Sequence, residues 1–480
     1  MRLPRLRPSH TELGDGTRRE FLRRSAGGFG AVALSALLAD EVRAGPEARA
    51  GADPLSPKPP HFAPKAKRVI FLFMTGGVSH VDTFDPKPRL FADHGKTIAV
   101  DNFQGKLGQF SMFLKTPDWK FQRGGRSGTE VSDLFPRVRS VVDDLCVIRS
   151  MESDHTNHYE STLGMHCGSW TFARPSIGSW ISYGLGTENR NLPSFLVIAP
   201  NAPYAGAQTW GSDFLPGSHQ GTHIIPGANP IANIRPRVAS TELQKLELDF
   251  LARSNRRHLE ARPAESALEA RIRSFETAFG MQREAPEALD IAGESEATLA
   301  LYGIKPGQTT GFGWQCLAAR RMAERGVRFI ELIDVGSANN WDAHGDMATH
   351  TPLARNIDQA IAGLITDLKQ RGMLNDTLVV WTTEFGRTPY NAAKDAKGRE
   401  HHHQVFSSWI AGGGAKAGIV HGASDDYGIA VAEDRVHVHD FHATLLHLLG
   451  LDHERLTFRH AGRDYRLTDV RGRVVRELIA

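Results

Sequence analysis

The sequence predicts an α/β fold built on an open, mostly parallel sheet. Five short apolar runs carry this reading: Arg68–Met74, Leu145–Ser150, Ser194–Ile198, Val327–Ile333 and Leu378–Trp381. Each has the length and β-rich composition of a buried strand. Between several of them lie stretches with apolar residues at helical spacing. Acids and histidines cluster just after four of the runs, where an open α/β sheet places its ligands.

The bulk numbers agree with a large folded chain. With 480 residues, 40% hydrophobic and 23% charged, there is enough apolar material for one large domain or two ordinary ones. The 47 Gly and 25 Pro favour many loops over a helical bundle. The formal charge of +3 originates at the N-terminus, where residues 1–44 hold eight Arg and five acids. The remainder is balanced at 49 basic and 49 acidic residues, which argues against nucleic acid as a partner. Three cysteines without a CxxC spacing exclude a disulfide scaffold.

Thr17-Arg18-Arg19-Glu20-Phe21-Leu22-Arg23 fits the twin-arginine export signature. The apolar run from Phe29 to Leu38 is too short to span a membrane, and Val42-Arg43-Ala44 offers small residues for cleavage. Residues 1–44 are therefore expected to be a signal peptide, with delivery to the periplasm or the exterior. The alternative is a basic tail. Residues 45–66, rich in Pro and Ala, are expected as a linker, and 67–480 as the domain, with no transmembrane segment.

The first run ends at Thr75-Gly76-Gly77 and feeds Ser79, His80, Asp82 and Asp85. His-x-Asp at a strand end is a ligand-like pair, unless Ser79 or Asp82 caps the next turn. Residues 89–130 read as irregular surface loops and Leu134–Val142 as a helix. After the second run, Ser153 to Glu160 opens a helix that closes near Gly168, bringing His155 and His158, three apart, to one face. Residues 200–236 lack periodicity and read as a lid or a long ordered loop. From Thr241 to about Tyr302 the pattern is charged and helical, a helical insertion at about 240–302.

Gln315–Arg325 reads as a helix closed by Gly326. The run Val327–Ile333 leads to Asp342, His344 and His350, where Asp-x-His is again ligand-like, or else a cap and a surface histidine. Ile357, Ile361, Leu364, Ile365 and Leu368 form a helix face against the sheet. The run Leu378–Trp381 ends in Glu384, and its loop delivers Arg387, Arg399, Glu400 and the consecutive His401, His402 and His403. Three neighbouring imidazoles cannot all face one point, so one or two of them are the expected ligands. Asp440 is expected to cap a last helix running to Leu449.

The order Asp82, His158, Asp342 with His344, and Glu384 with His401 resembles the alkaline phosphatase and sulfatase superfamily. The stretches GGVSHVDTFDPKP, WDAHGD, EFGRTP, GREHH and AGGGAKAG resemble more closely an exported bacterial family of unknown function, numbered fifteen-oh-one, over nearly all of the mature chain. The resemblance implies a doubly wound, alkaline phosphatase-like sheet with helices on both faces. It also implies one or two divalent metal ions, Zn, Mn or Ca, held by residues among His80, Asp82, Asp342, His344, Glu384, His401 and His402. Superfamily members use such ions to bind an ester oxygen and activate a hydroxyl or Cys-derived nucleophile. The implied activity is hydrolysis of a phosphate or sulfate ester, with an anionic, sulfated or phosphorylated glycan as substrate. The chain departs from the pattern at two points. Phe385 stands where a histidine is usual, and His158 stands where the nucleophile is usual, leaving Thr156, His158 or Ser161 for that role. Arg387 is a candidate for anion charge or for bracing Glu384. A catalytically degenerate metal- or glycan-binding partner in an exported complex is the alternative reading.

Overall fold

The apolar runs of the sequence become strands of one sheet. The computed structural model describes residues 53–480 apart from 104–105, 233, 235–239 and 261–265. The expected signal peptide therefore lies outside the described residues, as does the first part of the linker. The sheet strands are β1 (Arg68–Phe73), β2 (Leu145–Glu152), β3 (Phe195–Ile198), β4 (Thr222–Ile224), β5 (Phe329–Ile333), β6 (Thr377–Thr382), β7 (Phe406–Ala411) and β8 (Ile419–His421). Their spatial order is β8-β2-β7-β6-β1-β5-β3-β4, with Val436–His437 also pairing with β2. Central β1 is parallel to β6 and β5, with Phe71 opposite Val380 on one side and Glu331 on the other. Among the described strands of this sheet only β7 runs against the rest.

Alternation along the strands divides the core in two. Ile70, Leu72, Val147, Ile330, Leu332, Val379 and Trp381 point to one face. That face is covered by the helices α5 (Phe312–Glu324) and α6 (His350–Gln370), the latter through Ile357, Ile361, Leu364, Ile365 and Leu368 as the spacing predicts. Val69, Phe71, Phe73, Cys146, Ile148, Phe329 and Val380 point to the other. Helices α1 (His158–Cys167), α2 (Ile177–Leu185) and α7 (Val438–Leu448) cover this side. A sheet covered on both faces needs continuous apolar strands, which is why these runs do not alternate with polar residues. The expected α/β class, mostly parallel with helices on both faces, is the observed one. The segment read as a helical insertion forms α3 (Thr241–Glu260), α4 (Ser266–Leu289) and a short helix at Glu296–Leu301. No described helix is long and apolar enough to cross a membrane.

Four local expectations are corrected. The stretch read as surface loops holds a ribbon, Thr97–Phe103 with Lys106–Leu114, and a hairpin, Phe121–Gly124 with Thr129–Ser132. Much of the Lys106–Leu114 strand is exposed, so burial left no period of two to read. Leu134–Val142 yields only one helical turn, Pro136–Ser140. Thr222–Ile224 is an edge strand inside the aperiodic 200–236 stretch, too short to register as a pattern. In α7 the cap is His437, and Asp440 sits three residues in, closing a capping box by accepting from the His437 amide.

The part of the expected linker that is described runs along the sheet domain. Lys58 N donates to Leu185 O, His61 N to Gly450 O and Lys65 N to Leu448 O.

Candidate metal centre

The carboxyl ends of β1, β5 and β6 and the start of α1 meet at one rim of the sheet. Glu384 lies two residues past β6 and is fully buried. Its Oε1 accepts from the Gly76 amide at 2.8 Å, just past β1, and from His158 Nδ1 at 2.8 Å. Its Oε2 accepts from Thr383 Oγ1 at 2.9 Å. His158 is the first residue of α1, so a helix that packs on the sheet by its apolar side aims this imidazole at the strand end.

Asp342 reaches the same rim on a loop pinned from two sides. The Trp341 amide donates to Thr75 O at 3.0 Å, and Trp341 Nε1 donates to Asp334 Oδ2 at 2.6 Å. Asp334, at the end of β5, also accepts from the Thr75 amide at 3.2 Å. Burial pushes the Asp334 pKa up to about 7, against the Trp341 bond. The junction leaves no room beside Gly76, whose φ is 116° and whose missing Cβ would stand 2.7 Å from the amides of Trp341 and Asp342. Fully buried Arg387 then holds the carboxylate directly, Nη2 to Asp342 Oδ1 at 2.6 Å.

His401 arrives by strand alternation. The pair Gly386–Arg387 runs antiparallel to His401–His402, with Arg387 opposite His401. Successive side chains point to opposite faces. His401 therefore faces Asp342, with Nε2 3.3 Å from Oδ1. His402 faces away, bonds Ile429 O at 2.7 Å and stacks on His80.

The protons decide what this arrangement can do. Thr156 O can only accept, so His401 Nδ1, 2.7 Å away, carries the hydrogen. Buried Glu384 is held ionised by its bond from His158, against the desolvation that would raise its pKa. His158 Nδ1 therefore carries a hydrogen as well. In the neutral imidazoles both Nε2 lone pairs are then aimed at the Asp342 carboxylate. His158 Nε2 is buried 3.3 Å from Oδ2 and has no hydrogen-bond partner. Ligand atoms of His158, Asp342 and His401 all lie within 4.8 Å of one another. Acceptors facing acceptors at this range need a proton or a cation between them. The second nitrogen of each imidazole is already tied, to a carboxylate in one case and a carbonyl in the other, which is how metal-ligating histidines are oriented. Two imidazoles and a carboxylate are a donor set for a divalent transition metal. His158 is buried and the other two are half-buried, which leaves one side open.

The electrostatics follow the same geometry. Burial would raise the Asp342 pKa, but the His158, His344 and His401 rings around it and the Arg387 charge hold it far below the carboxylate range. Desolvation lowers His401. It would also lower His158, but Asp342 and Glu384 draw that pKa up instead. His344 bonds Asp342 Oδ1 through Nδ1 at 2.6 Å and Glu400 Oε2 through Nε2 at 3.1 Å, and these acids raise it to about 9.

Of the expected site residues, His158, Asp342, His344, Glu384, Arg387 and His401 converge, with Thr156 contributing its carbonyl. Their roles shift, however. Glu384 orients His158 from behind, and Arg387 spends its nitrogens on Asp342 and on the carbonyls of Gly76, Gly77 and Arg399. That guanidinium makes no bond to Glu384, so it braces Asp342 instead of the residue expected. Ser161 Oγ donates to His155 O at 2.6 Å.

Three expected ligands stand apart. Asp82 is locked in a buried ion pair with Arg399 Nε at 2.7 Å, and it also accepts from Ser79 Oγ and the Asp118 amide. His80 bonds Gly428 O at 2.9 Å, and together with His402 clamps the Gly428–Ile429 turn. Sequence reasoning missed Tyr204, whose ring stacks on His158 at 4.1 Å, because it lies in the aperiodic 200–236 stretch. It also missed Asp334, although an acid directly after a strand was the signal used elsewhere.

Fold and site together define an α/β protein with a candidate cation centre at the carboxyl rim of its sheet. The chain belongs to the family described as protein of unknown function (DUF1501), which matches residues 66–479. No curated protein matches the sequence significantly. Among solved structures, the chain is similar to the lipoteichoic acid synthase LtaP from Listeria monocytogenes, at 10% identity and TM-score 0.35, covering 86% of this chain and 78% of that one. It is also similar to an alkaline phosphatase from the Antarctic bacterium TAB5, at 11% identity and TM-score 0.34, over 81% and 99% of the two chains. The phosphonate monoester hydrolase SpPMH from Silicibacter pomeroyi is a third, at 11% identity and TM-score 0.35, over 86% and 76%. These likenesses are too distant to carry the chemistry of the site, which rests on this chain's own residues.

Proposed function

We propose that the chain is an exported metal-dependent hydrolase of phosphate or sulfate esters, delivered by its twin-arginine segment to the periplasm or beyond. The observation that carries the proposal is the convergence of three acceptors, His158 Nε2, His401 Nε2 and the Asp342 carboxylate, whose other atoms are already tied. The donor set suits Zn or Mn better than Ca, which takes oxygen ligands. When bound there, a divalent ion would supply charge stabilisation at an ester oxygen and a water of lowered pKa. The protein's own groups do the rest. Glu384 and Thr156 O fix the imidazole orientations, and Arg387 holds Asp342 in place. His344, half-exposed at the rim, is held protonated between Asp342 and Glu400 and adds a positive charge beside the centre for an anionic ester. A sulfated or phosphorylated glycan is the substrate class proposed, and nucleic acid is not.

The test joins metal analysis to turnover. Metal-replete protein is expected to hydrolyse an aryl phosphate or an aryl sulfate. His158→Ala and His401→Ala are each expected to lose the metal and at least about 100-fold in rate. Equal rates in all three proteins would reject the hydrolase. A second reading, metal and anion binding without turnover, is favoured by one observation. At the start of α1, Ser161 Oγ is committed to His155 O, and the contact Thr156 makes with the site is through its carbonyl. Stoichiometric metal with no turnover on either ester would select it.

A further inference from the structure

Tyr204 lies on the stretch whose sequence left a lid and an ordered loop as equal readings. The structure ties that stretch down on two sides. Asn201 Nδ2 donates to Val335 O at 3.1 Å and the Ser337 amide to Ala202 O at 3.0 Å, both partners lying just past β5. On α1, Tyr159 Oη donates to Gln208 Oε1 at 3.1 Å. Between these anchors the half-buried Tyr204 ring lies on the His158 imidazole, with centroids 4.1 Å apart and planes 16° apart. The stretch thus forms a fixed wall beside the centre.

The hydroxyl of that ring has a defined direction. The Asp342 amide can only donate, so the Asn340 atom 3.1 Å from it is Oδ1. Asn340 Nδ2 is then the group that faces Gly336 O at 3.3 Å and Tyr204 Oη at 3.0 Å. Tyr204 Oη accepts from that amide and keeps its own hydrogen, for which no acceptor stands among the described residues. Asn340 also holds the Asp342 backbone. The hydroxyl therefore lies toward the Asp342 end of the imidazole, where Nε2 is, and away from Glu384. Arg387, the guanidinium expected to meet anion charge, is fully buried and spent on Asp342 and three carbonyls. Tyr204 is a donor at the same rim that is not spent. Resting on the metal centre proposed above, we infer that the Tyr204 hydroxyl donates to a non-bridging oxygen of the phosphate or sulfate group held there. The 200–236 stretch then supplies an anion contact, whether or not the bound group turns over.

Calorimetry on the full chain tests this, with zinc titrated into apo protein and inorganic phosphate or sulfate into the zinc-loaded form. Tyr204→Phe keeps the stacked ring and removes only the hydroxyl. It is expected to bind zinc as wild type does and to bind the anions about 10-fold more weakly, the loss of one hydrogen bond to a charged group. Tyr159→Phe removes a hydroxyl already spent on Gln208 and is expected to leave both affinities unchanged. Anion affinities equal in wild type and Tyr204→Phe overturn the inference, as does a zinc-loaded wild type that binds neither anion. A fall in zinc affinity in Tyr204→Phe would place the hydroxyl's effect on the metal, and an equal anion loss in Tyr159→Phe would place it on the wall. Either overturns the inference too. Anion binding that depends on Tyr204 without turnover of either ester sustains the contact and rejects the hydrolase, whereas turnover and anion binding indifferent to Tyr204→Phe do the reverse.

Discussion

At the scale of single residues, the same two side-chain types do opposite work within one loop system. Asp342 is surrounded by groups that leave its oxygens crowded and shared, whereas Asp82 has one dedicated cation and two amide or hydroxyl donors. Asp82→Asn is therefore expected to leave metal content intact. It is also expected to destabilise the fold by about 3–5 kcal/mol, because Arg399 would be left buried without its countercharge. Urea unfolding with parallel metal analysis checks both parts, and loss of metal without loss of stability would return Asp82 to the ligand set. Nothing in the sequence separated these two aspartates. Each follows a strand and each has a histidine two residues away, Asp82 after His80 and Asp342 before His344. The difference is a partner more than 300 residues away, Arg399, whose approach depends on the whole sheet being assembled.

At the scale of elements, strand ends and their glycines set the site. The apolar runs made β1, β2, β3, β5 and β6 legible, because a strand buried on both faces is written as an unbroken hydrophobic stretch. The choice among neighbouring histidines was not legible, because it turns on the two-residue pairing of Gly386–Arg387 with His401–His402, too short to leave a pattern. Gly76 is where β1 meets the Asp342 loop. Gly76→Ala would force a side chain into a conformation L-residues rarely adopt and against the Trp341 and Asp342 amides. The loop must then retreat. The expected outcome is a metal affinity lowered about 10–100-fold in a chain that still folds, read by titration of apo protein with Zn and by circular dichroism. Unchanged affinity would mean that the Asp342 loop does not govern binding.

At the scale of the whole molecule, buried neutral imidazoles tie stability to pH. Desolvation lowers the pKa of His80 to about 4, and those of His219, His350, His402 and His442 to about 3. Below the ordinary histidine value the unfolded chain binds protons at these positions and the folded one does not, so stability falls as pH falls. Each such group costs about 1.4 kcal/mol per pH unit in that window. His158, His166 and His344, whose pKa values are raised by acids, oppose this, as does Asp334, but the five outnumber them. The urea midpoint is expected to drop clearly between about pH 7 and about pH 5, and a flat profile would show that water or protons reach these rings in the fold.

The central strand imposes an order on how the polypeptide comes together. Its two neighbours lie far downstream, Val69 pairing with Phe329 and Arg68 with Thr377. While the ribosome is still making the segment between them, β1 waits with both hydrogen-bonding edges bare, an invitation to stick to other chains. Synthesis must be nearly finished before the strand is enclosed. Binding by chaperones during that interval, and intolerance of truncation ahead of residue 377, are the outcomes expected from that strand order.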